Sequence, residues 1–197
     1  MTAPAAPGAD DRRRCDWAGS APDYLAYHDE EWGRPVHGTA AWFERMTLEG
    51  FQSGLSWIVI LRKRPAFREV FAGFDPERVA AFGPADVDRL LTDARIVRNR
   101  SKIESAVTNA RAVLDLEETG PGLGEFLASF APDPARHPRP ARITDVPGST
   151  PESTALSKAL KKRGFRFVGP TTCYALMQAT GLVDDHVGYC WLAARRS

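Results

Sequence analysis

Two pairs of metal-ligand residues stand near opposite ends of the chain. Twelve residues separate Cys15 from His28, and three separate His186 from Cys190, a spacing that places the second pair on one face of a helix. Two thiolates and two imidazoles suit the tetrahedral preference of zinc and leave no position open for a catalytic water. The alternative is that Cys190 is a small buried hydrophobe and His28 a satisfied polar side chain. The remaining cysteine, Cys173, lies in an apolar helical segment and is expected in the core.

A second group of residues combines aromatic rings with one acid. Glu49 is followed by Gln52, Leu55 and Trp57, and the aromatic residues upstream are Trp17, Tyr24, Tyr27 and Trp32. An enzyme that extrudes a base from a duplex needs flat walls to hold the base and a polar group to read its edge. Aromatic rings favour a cationic methylated base through cation–π stacking, and a carboxylate favours positive charge in the same pocket. The alternative is packing, because aromatic residues fill the cores of small proteins, and packing is what we expect of Trp42, Phe43 and Phe51.

Residues 160–172 have the pattern of a helix, a glycine-punctuated turn and a second helix. A basic helix ends before Gly164, and Pro170 begins the next helix directly after Gly169. Glycines let a backbone approach a phosphate, and a helix N-terminus offers N–H donors to it. The cations that add charge to such a phosphate clamp are Lys161, Lys162 and Arg166. Any helix–turn–helix with a glycine stop shares this pattern, so spacing alone leaves DNA binding open.

The elements that must position these groups are helices. The helical period of apolar residues predicts helices after Asp75-Pro76 and after Pro84, and over Asn99–Glu118, Ser153–Arg163 and Thr171–Gly181. Strict alternation is nearly absent, so the fold is predicted to be all-α. Pro132–Pro151 breaks the pattern and is expected to be an irregular surface connection.

Composition bounds the class of protein. Residues 1–13 are expected to be a disordered tail and residues 14–197 a single helical domain. No apolar run is long enough to span a bilayer, and the N-terminal stretch lacks the apolar core of a secretory signal. Three cysteines are too few for a disulfide framework. A cytoplasmic protein without a membrane partner is therefore expected. The net charge of +1 neither demands nor excludes nucleic acid. Cations cluster at 62–64, 95–102 and 158–166, although each cluster alone is also typical of a solvated helix surface. His37 and His137 have no partner nearby in the sequence and are expected to be exposed.

Taken in order, these motifs resemble the 3-methyladenine DNA glycosylase I family of the helix–hairpin–helix glycosylase superfamily. The segments that carry the resemblance are Arg14–Trp17, Tyr27–Gly33, Leu48–Trp57, Leu156–Gly169 and Asp185–His186 with Cys190. The likeness runs from Arg14 to about Cys190 and omits the N-terminal tail and the Pro-rich segment. It implies an all-α helix–hairpin–helix fold in which two helical lobes flank a cleft and one structural zinc ion ties the N- and C-terminal segments.

The resemblance also implies roles for single residues. The residues that match the family's zinc ligands are Cys15, His28, His186 and Cys190. Glu49 matches the catalytic-site residue that hydrogen-bonds the damaged base, and the residues that match the aromatic pocket are Trp17, Tyr27, Trp32 and Trp57. Gln52 and Leu55 match the turn that probes the duplex where the base leaves. The groups expected to grip the DNA backbone are Gly164, Gly169, Lys162 and Arg166.

The implied reaction is hydrolysis of the N-glycosidic bond of 3-methyladenine in alkylated double-stranded DNA, a step of base excision repair that leaves an abasic site. A methylated cationic base departs as a neutral group and needs little protonation. No lysine lies between Gly164 and Gly181 to serve as the nucleophile of a bifunctional relative, so a monofunctional enzyme is expected. The protein is also expected to be a monomer. Asp184 lies near the position of the superfamily's catalytic aspartate. It either caps a helix or supports His186, or it acts directly by stabilising the sugar cation or orienting water, and the sequence leaves both kinds of role open.

Two other classes of protein fit part of the pattern. A zinc-stabilised module that binds DNA lesions without cutting shares the hairpin and the metal ligands but has no use for Glu49 among aromatic rings. A small-molecule enzyme with the same pocket is the third alternative, and salt-sensitive duplex binding argues against it.

Overall fold

The regular elements of the chain are helices. The computed structural model describes residues 10–193, and within this range there is no β-strand. The α-helices are α1 (Pro22–Glu30), α2 (Thr39–Gln52), α3 (Trp57–Val70), α4 (Pro76–Ala80), α5 (Pro84–Thr92), α6 (Arg100–Thr119), α7 (Leu123–Ala128), α8 (Pro151–Lys162) and α9 (Pro170–Ala179). Short 3-10 helices span Asp16–Ala18, Ala72–Phe74, Pro134–Arg136 and Ile143–Asp145. The all-α prediction is confirmed. Of the predicted tail, residues 1–9 lie outside the described range.

The chain divides into two compact units, which are described separately. Unit 1 is drawn from Met1–Pro35, Pro132–Gly148 and Met177–Ser197, and unit 2 from Val36–Ala131 and Ser149–Leu176. The assignment of residues 14–197 to one domain remains a prediction. Across residues 10–193, the helices are too short or too polar to span a membrane.

Capping residues set the helix starts of unit 2. The Asp75 carboxylate accepts hydrogen bonds from the N–H groups of Glu77 (2.9 Å) and Arg78 (3.3 Å), and Pro76 begins α4. The side chain of Asn99 accepts a bond from the N–H of Lys102 at 3.1 Å and so begins α6. These bonds satisfy N–H groups that a helix leaves unpaired in its first turn. The capping signals therefore predict both starts correctly.

Aromatic residues form the centre of unit 2. Phe51 lies 4.7 Å from Phe67 between ring centroids, and Phe71 stacks on Phe74 at 5.7 Å. Trp42, Phe43 and Phe51 are buried, as the sequence predicts. Burying each large ring contributes about 2 kcal/mol or more, so this cluster holds α2 and α3 together.

Residues 132–148 of the Pro-rich segment belong to unit 1, and this part is irregular, as predicted, apart from its two 3-10 helices. The last residue of the segment, Pro151, is instead the first residue of α8, because Thr150 caps that helix through its hydroxyl. The N–H of Gly188 donates to the carbonyl of Pro140 at 2.9 Å. The segment is thus tied to the chain that carries His186 and Cys190.

Candidate functional site

The four residues predicted as metal ligands lie together in unit 1. The candidate ligand atoms of Cys15, His28, His186 and Cys190 all lie within 4.8 Å of one another. Each of the four side chains is buried. Cys15 precedes the 3-10 helix Asp16–Ala18, and His28 lies near the end of α1. The other two residues lie in a non-helical segment after α9, so the prediction that they share one face of a helix is wrong. The sequence prediction that these residues form one cluster is confirmed.

The spacing of the ligand atoms suits a tetrahedral metal ion. The Sγ of Cys190 lies 3.5 Å from Nε2 of His28 and 3.6 Å from Nδ1 of His186, and the Sγ of Cys15 lies 3.7 Å from the same Nδ1. Zinc–sulfur and zinc–nitrogen bonds at the tetrahedral angle place S and N about 3.6 Å apart. The donor set and its geometry therefore fit one metal ion.

The two thiols of the cluster are electrostatically linked. The pKa of Cys190 is lowered because Cys15 donates a hydrogen bond to its sulfur, and His186 and His28 add to this effect against the cost of burial. The same bond and burial raise the pKa of Cys15. One thiolate is therefore favoured before any metal binds, and a bound cation would stabilise both.

A half-buried carboxylate, that of Asp29, orients His28. The Nδ1 of His28 lies 2.8 Å from Oδ1 of Asp29, and this carboxylate also accepts hydrogen bonds from Arg14 at 2.7 Å and from Nε1 of Trp191 at 3.2 Å. Arg14 and His28 lower the pKa of Asp29 against the cost of burial. Because Nδ1 is engaged by the carboxylate, Nε2 of His28 is left to face the thiols, an arrangement common around metal-ligating histidines.

Residues of the Pro-rich segment support the loop that contains His186. Arg139 donates to Oδ2 of Asp184 at 2.8 Å and to the carbonyl of His186 at 3.2 Å, and Oδ1 of Asp184 accepts from the N–H of His186. Of the roles left open for Asp184, this geometry favours support of His186. Next to it, the buried Asp185 lies 2.9 Å from Nε2 of His137.

The prediction for His137 is wrong. Its side chain is 15% exposed and bonded to Asp185, a partner that lies far along the chain. His37 is exposed, as predicted.

Three of the residues predicted for the aromatic pocket, Trp17, Tyr27 and Trp32, lie in unit 1. Trp17 lies 4.9 Å from Trp32 and 6.2 Å from Tyr27 between ring centroids. Trp32 also meets the ring of His186 edge-on at 4.7 Å. Tyr27 is buried, whereas Trp17 and Trp32 are half-buried. The structure therefore brings these three residues together, and Trp17 and Trp32 pack against the cluster that contains Cys15 and Cys190.

Glu49 lies on α2 of unit 2 and is buried, with 5% of its surface exposed. Burial raises the pKa of Glu49 to about 8, against the opposing positive charge of Arg45 one turn earlier. The carboxyl is therefore mostly protonated near pH 7. A positive charge placed beside it would restore the carboxylate, because opposite charges favour the ionised form.

The turn predicted to probe the duplex, residues 52–55, is exposed, and a hydrogen bond within it fixes its conformation. Leu55 is 39% exposed, and Nε2 of Gln52 donates to the carbonyl of Leu55 at 3.2 Å. Gly54 has a φ of +81°, which favours glycine at this position. Trp57, the first residue of α3, is half-buried.

Lys102 anchors the chain from the end of α2 into this turn. Its ammonium donates to the carbonyls of Phe51 and Ser53 at 2.8 and 2.5 Å. The side chain is buried, and burial lowers its pKa. The sequence grouped Lys102 with surface cations and so missed this role.

Residues 163–169 connect α8 to α9 in a tight turn. Gly164 has a φ of +86°, and the N–H of Phe165 returns to the carbonyl of Leu160, which closes α8. Phe165 and Val168 are buried beneath the turn, while Lys162 and Arg166 are exposed. The exposed cations and the start of α9 leave this turn open to an anionic ligand.

The combination of an all-α fold, a buried Cys2His2 cluster and a buried acid before an exposed turn places the chain among helical proteins of known structure. It matches a crystal structure of a 3-methyladenine DNA glycosylase I with a TM-score of 0.87 and 49% identity, over 90% of this chain and 98% of the other. A second match is a structure that addresses 3-methyladenine recognition by the Staphylococcus aureus enzyme, with a TM-score of 0.85, 37% identity and coverage of 90% and 95%.

The chain belongs to the methyladenine glycosylase family, whose model matches residues 17–193. It is 49% identical over 177 residues to DNA-3-methyladenine glycosylase 1 of Escherichia coli K12, covering 90% of this chain and 95% of that protein. It is 45% identical to a DNA-3-methyladenine glycosylase of Haemophilus influenzae, with coverage of 90% and 96%. The family resemblance drawn from the motifs is confirmed.

Proposed function

We propose that this protein is a monofunctional DNA-3-methyladenine glycosylase that hydrolyses the N-glycosidic bond of the methylated base in double-stranded DNA. The observation that carries the proposal is Glu49, a buried acid at the end of α2 in a chain of the methyladenine glycosylase family. Water adds its oxygen to the sugar as the bond to the base breaks, and the electron pair of that bond neutralises the departing cationic base. The water loses a proton to solvent, so the products are the neutral free base, an abasic site and a proton.

Selection of the lesion rests on its charge. A 3-methylated adenine in DNA is a cation, whereas unmodified adenine is neutral. With a pKa of about 8, Glu49 is held protonated near pH 7 and would give up its proton when a cationic base binds beside it. The neutral base offers no such gain. The rings that supply cation–π stacking in this proposal are Trp17, Tyr27, Trp32 and Trp57.

The bond then breaks without a strong general acid. The positive charge is neutralised as the base departs, and interactions that strengthen toward the sugar cation lower the barrier. Glu49 acts by hydrogen-bonding and orienting the base. Asp184 is assigned to support of His186, because its carboxylate is already engaged by Arg139 and by the N–H of His186.

Duplex DNA is bound from two parts of unit 2. The turn from Gln52 to Leu55 presents an exposed apolar side chain that can occupy the gap left by the extruded base. The helix–hairpin–helix formed by α8, residues 163–169 and α9 grips the backbone. Its proposed phosphate contacts are the N–H groups near Gly164 and Gly169 and the charges of Lys162 and Arg166.

The Cys2His2 cluster is proposed to hold one structural zinc ion. Two sulfur and two nitrogen donors fill the coordination of zinc, so this ion would cross-link the first and last segments of unit 1. Cys15, His28, His186 and Cys190 would be its ligands. The protein is further proposed to be a monomer in the cytoplasm, and sedimentation of the purified protein tests the first of these statements.

Release of free bases from alkylated duplex DNA tests the proposed function. The wild-type protein is expected to release 3-methyladenine, measured by chromatography of the ethanol-soluble fraction. A zinc-stabilised module that only recognises lesions would bind the same duplex and release nothing. No release by a folded, metal-containing protein would refute the proposal.

A further inference from the structure

We infer that a cleft beside the hairpin on unit 2 is an additional binding surface for the phosphodiester backbone of duplex DNA. The inference rests on the proposed function, since it adds a contact for the same substrate. The cleft has a volume of about 370 Å³. Its walls are one face of α6, the connection from α4 into α5, and Arg166 of the hairpin.

The α6 wall is a single stripe of side chains. Arg100, Glu104, Thr108 and Arg111 line the cleft at intervals of three or four residues, which is the spacing of one helix face. The two arginines are eleven positions apart on the helix, which corresponds to about 16 Å along its axis. The stripe is therefore longer than a single phosphate group and suits a run of successive phosphates on one strand.

Positive charge exceeds negative charge in this lining. Three arginines and one glutamate line the cleft. Arg100 is paired with Asp88 at 2.7 Å and with Glu104 at 3.6 Å. Arg111, in contrast, donates to the backbone carbonyls of Ala80 and Phe82 at 3.0 and 3.3 Å, and these contacts do not neutralise its charge. The guanidinium of Arg111 is thus held in place, and its positive charge remains able to attract an anion.

The cleft is continuous with the hairpin. The side-chain amide of Asn109 on α6 accepts from the N–H of Arg166 at 2.7 Å and donates to the carbonyl of Arg166 at 3.0 Å. Asn109 is buried, so this pair of bonds fixes the hairpin backbone against α6. Arg166 therefore belongs both to the hairpin and to the lining of the cleft, so a DNA strand bound at the hairpin also meets the cleft.

The composition of the lining favours a phosphodiester strand as the partner. Beside the arginines the lining contains the hydroxyl of Thr108 and one acidic group, that of Glu104. The rest of the lining carries no polar side chain and consists of Phe82, Gly83, Pro84, Val87 and Val107. Contacts of this kind bind the backbone without reading sequence and contribute through counterion release. The cleft is therefore assigned a role in affinity, with no contact to the base.

Two substitutions with opposite expected effects test the assignment. Arg111→Ala is expected to weaken binding of an unmodified fluorescent duplex about fivefold and to lower the slope of log affinity against log salt by about one. Glu104→Gln removes the one acid of the lining and is expected to tighten binding about twofold. Arg78→Ala, an exposed arginine of α4 outside the cleft, is the matched control and should keep the wild-type affinity.

Fluorescence anisotropy at several salt concentrations measures all four proteins. The tighter binding of Glu104→Gln is the decisive arm, because a folding defect can weaken binding but cannot strengthen it. Single-turnover base release at saturating DNA should be unchanged in both cleft variants. Wild-type affinity in either cleft variant overturns the inference, whereas absence of base release by the wild type refutes the proposed function and leaves the binding comparison readable.

Discussion

Replacing Glu49 by Gln is expected to stabilise the free protein while it removes function. The carboxyl has an ordinary pKa of 4.5 in the unfolded chain and about 8 in the fold. Between these values the unfolded chain loses the proton and the folded chain keeps it, so rising pH favours unfolding. At pH 7 this difference costs the wild type about 3 kcal/mol of its free energy of unfolding.

Glutamine has the shape of the protonated acid and does not titrate, so Glu49→Gln escapes this cost. For a chain of this size the gain corresponds to a rise in Tm of about 6–12 °C. The advantage should be absent near pH 4.5, grow up to about pH 8 and then level off. Urea unfolding followed by circular dichroism across this pH range measures it.

A second buried acid of α2 provides the matched control. Glu44 accepts hydrogen bonds from Arg68 at 2.8–3.0 Å, so Glu44→Gln loses a charged partner and is expected to be less stable than the wild type. If Glu49→Gln is no more stable than the wild type at pH 7.5, or if its advantage does not vary with pH, the reasoning about burial of this carboxyl is refuted.

Four further outcomes are expected. The kcat/KM for base release should rise with pH up to about 8 in the wild type, since the carboxylate of Glu49 is the form that binds a cation; a flat profile in this range contradicts that statement. Leu55→Ala should change the free energy of unfolding by less than about 0.5 kcal/mol, because the side chain is exposed, yet slow excision from duplex DNA more than from single strands. Purified protein should contain one zinc ion per chain by mass spectrometry, and Cys190→Ser should lose the metal and unfold at a lower temperature; a metal-free wild type with the same Tm refutes the cross-link. Arg139→Ala should release the metal to a chromogenic chelator faster than Arg136→Ala, an exposed control in the same segment, because Arg139 holds Asp184 and the carbonyl of His186.

Local signals predicted much of the fold. The starts of α4 and α6 follow from Asp75 and Asn99, because a capping side chain acts on N–H groups two or three residues away. The grouping of the metal ligands followed from residue chemistry together with the family resemblance, since two cysteines and two histidines supply the donors that zinc prefers.

The partners of buried polar groups were not predictable in this way. Lys102 was read with its charged neighbours, but its acceptors are the carbonyls of Phe51 and Ser53, about fifty residues earlier. His137 likewise bonds to Asp185 from a segment without periodicity. Such contacts depend on how distant segments pack, and no local pattern encodes them. The signal that was available is adjacency: Asp29 follows His28 directly and orients its ring.

The burial of Glu49 also depends on how distant segments pack, so it was not predictable from local patterns. No helix was predicted around Glu49, so the sequence did not indicate that α2 buries the face on which this residue lies. The central chemical claim, a neutral acid that ionises when a cationic base arrives, therefore depends on the structure as well as on the family resemblance.

Base release from methylated duplex DNA by the wild type, by Glu49→Gln and by Glu44→Gln tests that claim most directly. The account predicts 3-methyladenine in the released fraction with the wild type, a large loss of rate with Glu49→Gln, and retained release with Glu44→Gln where that variant is folded. Undiminished release by Glu49→Gln would contradict it.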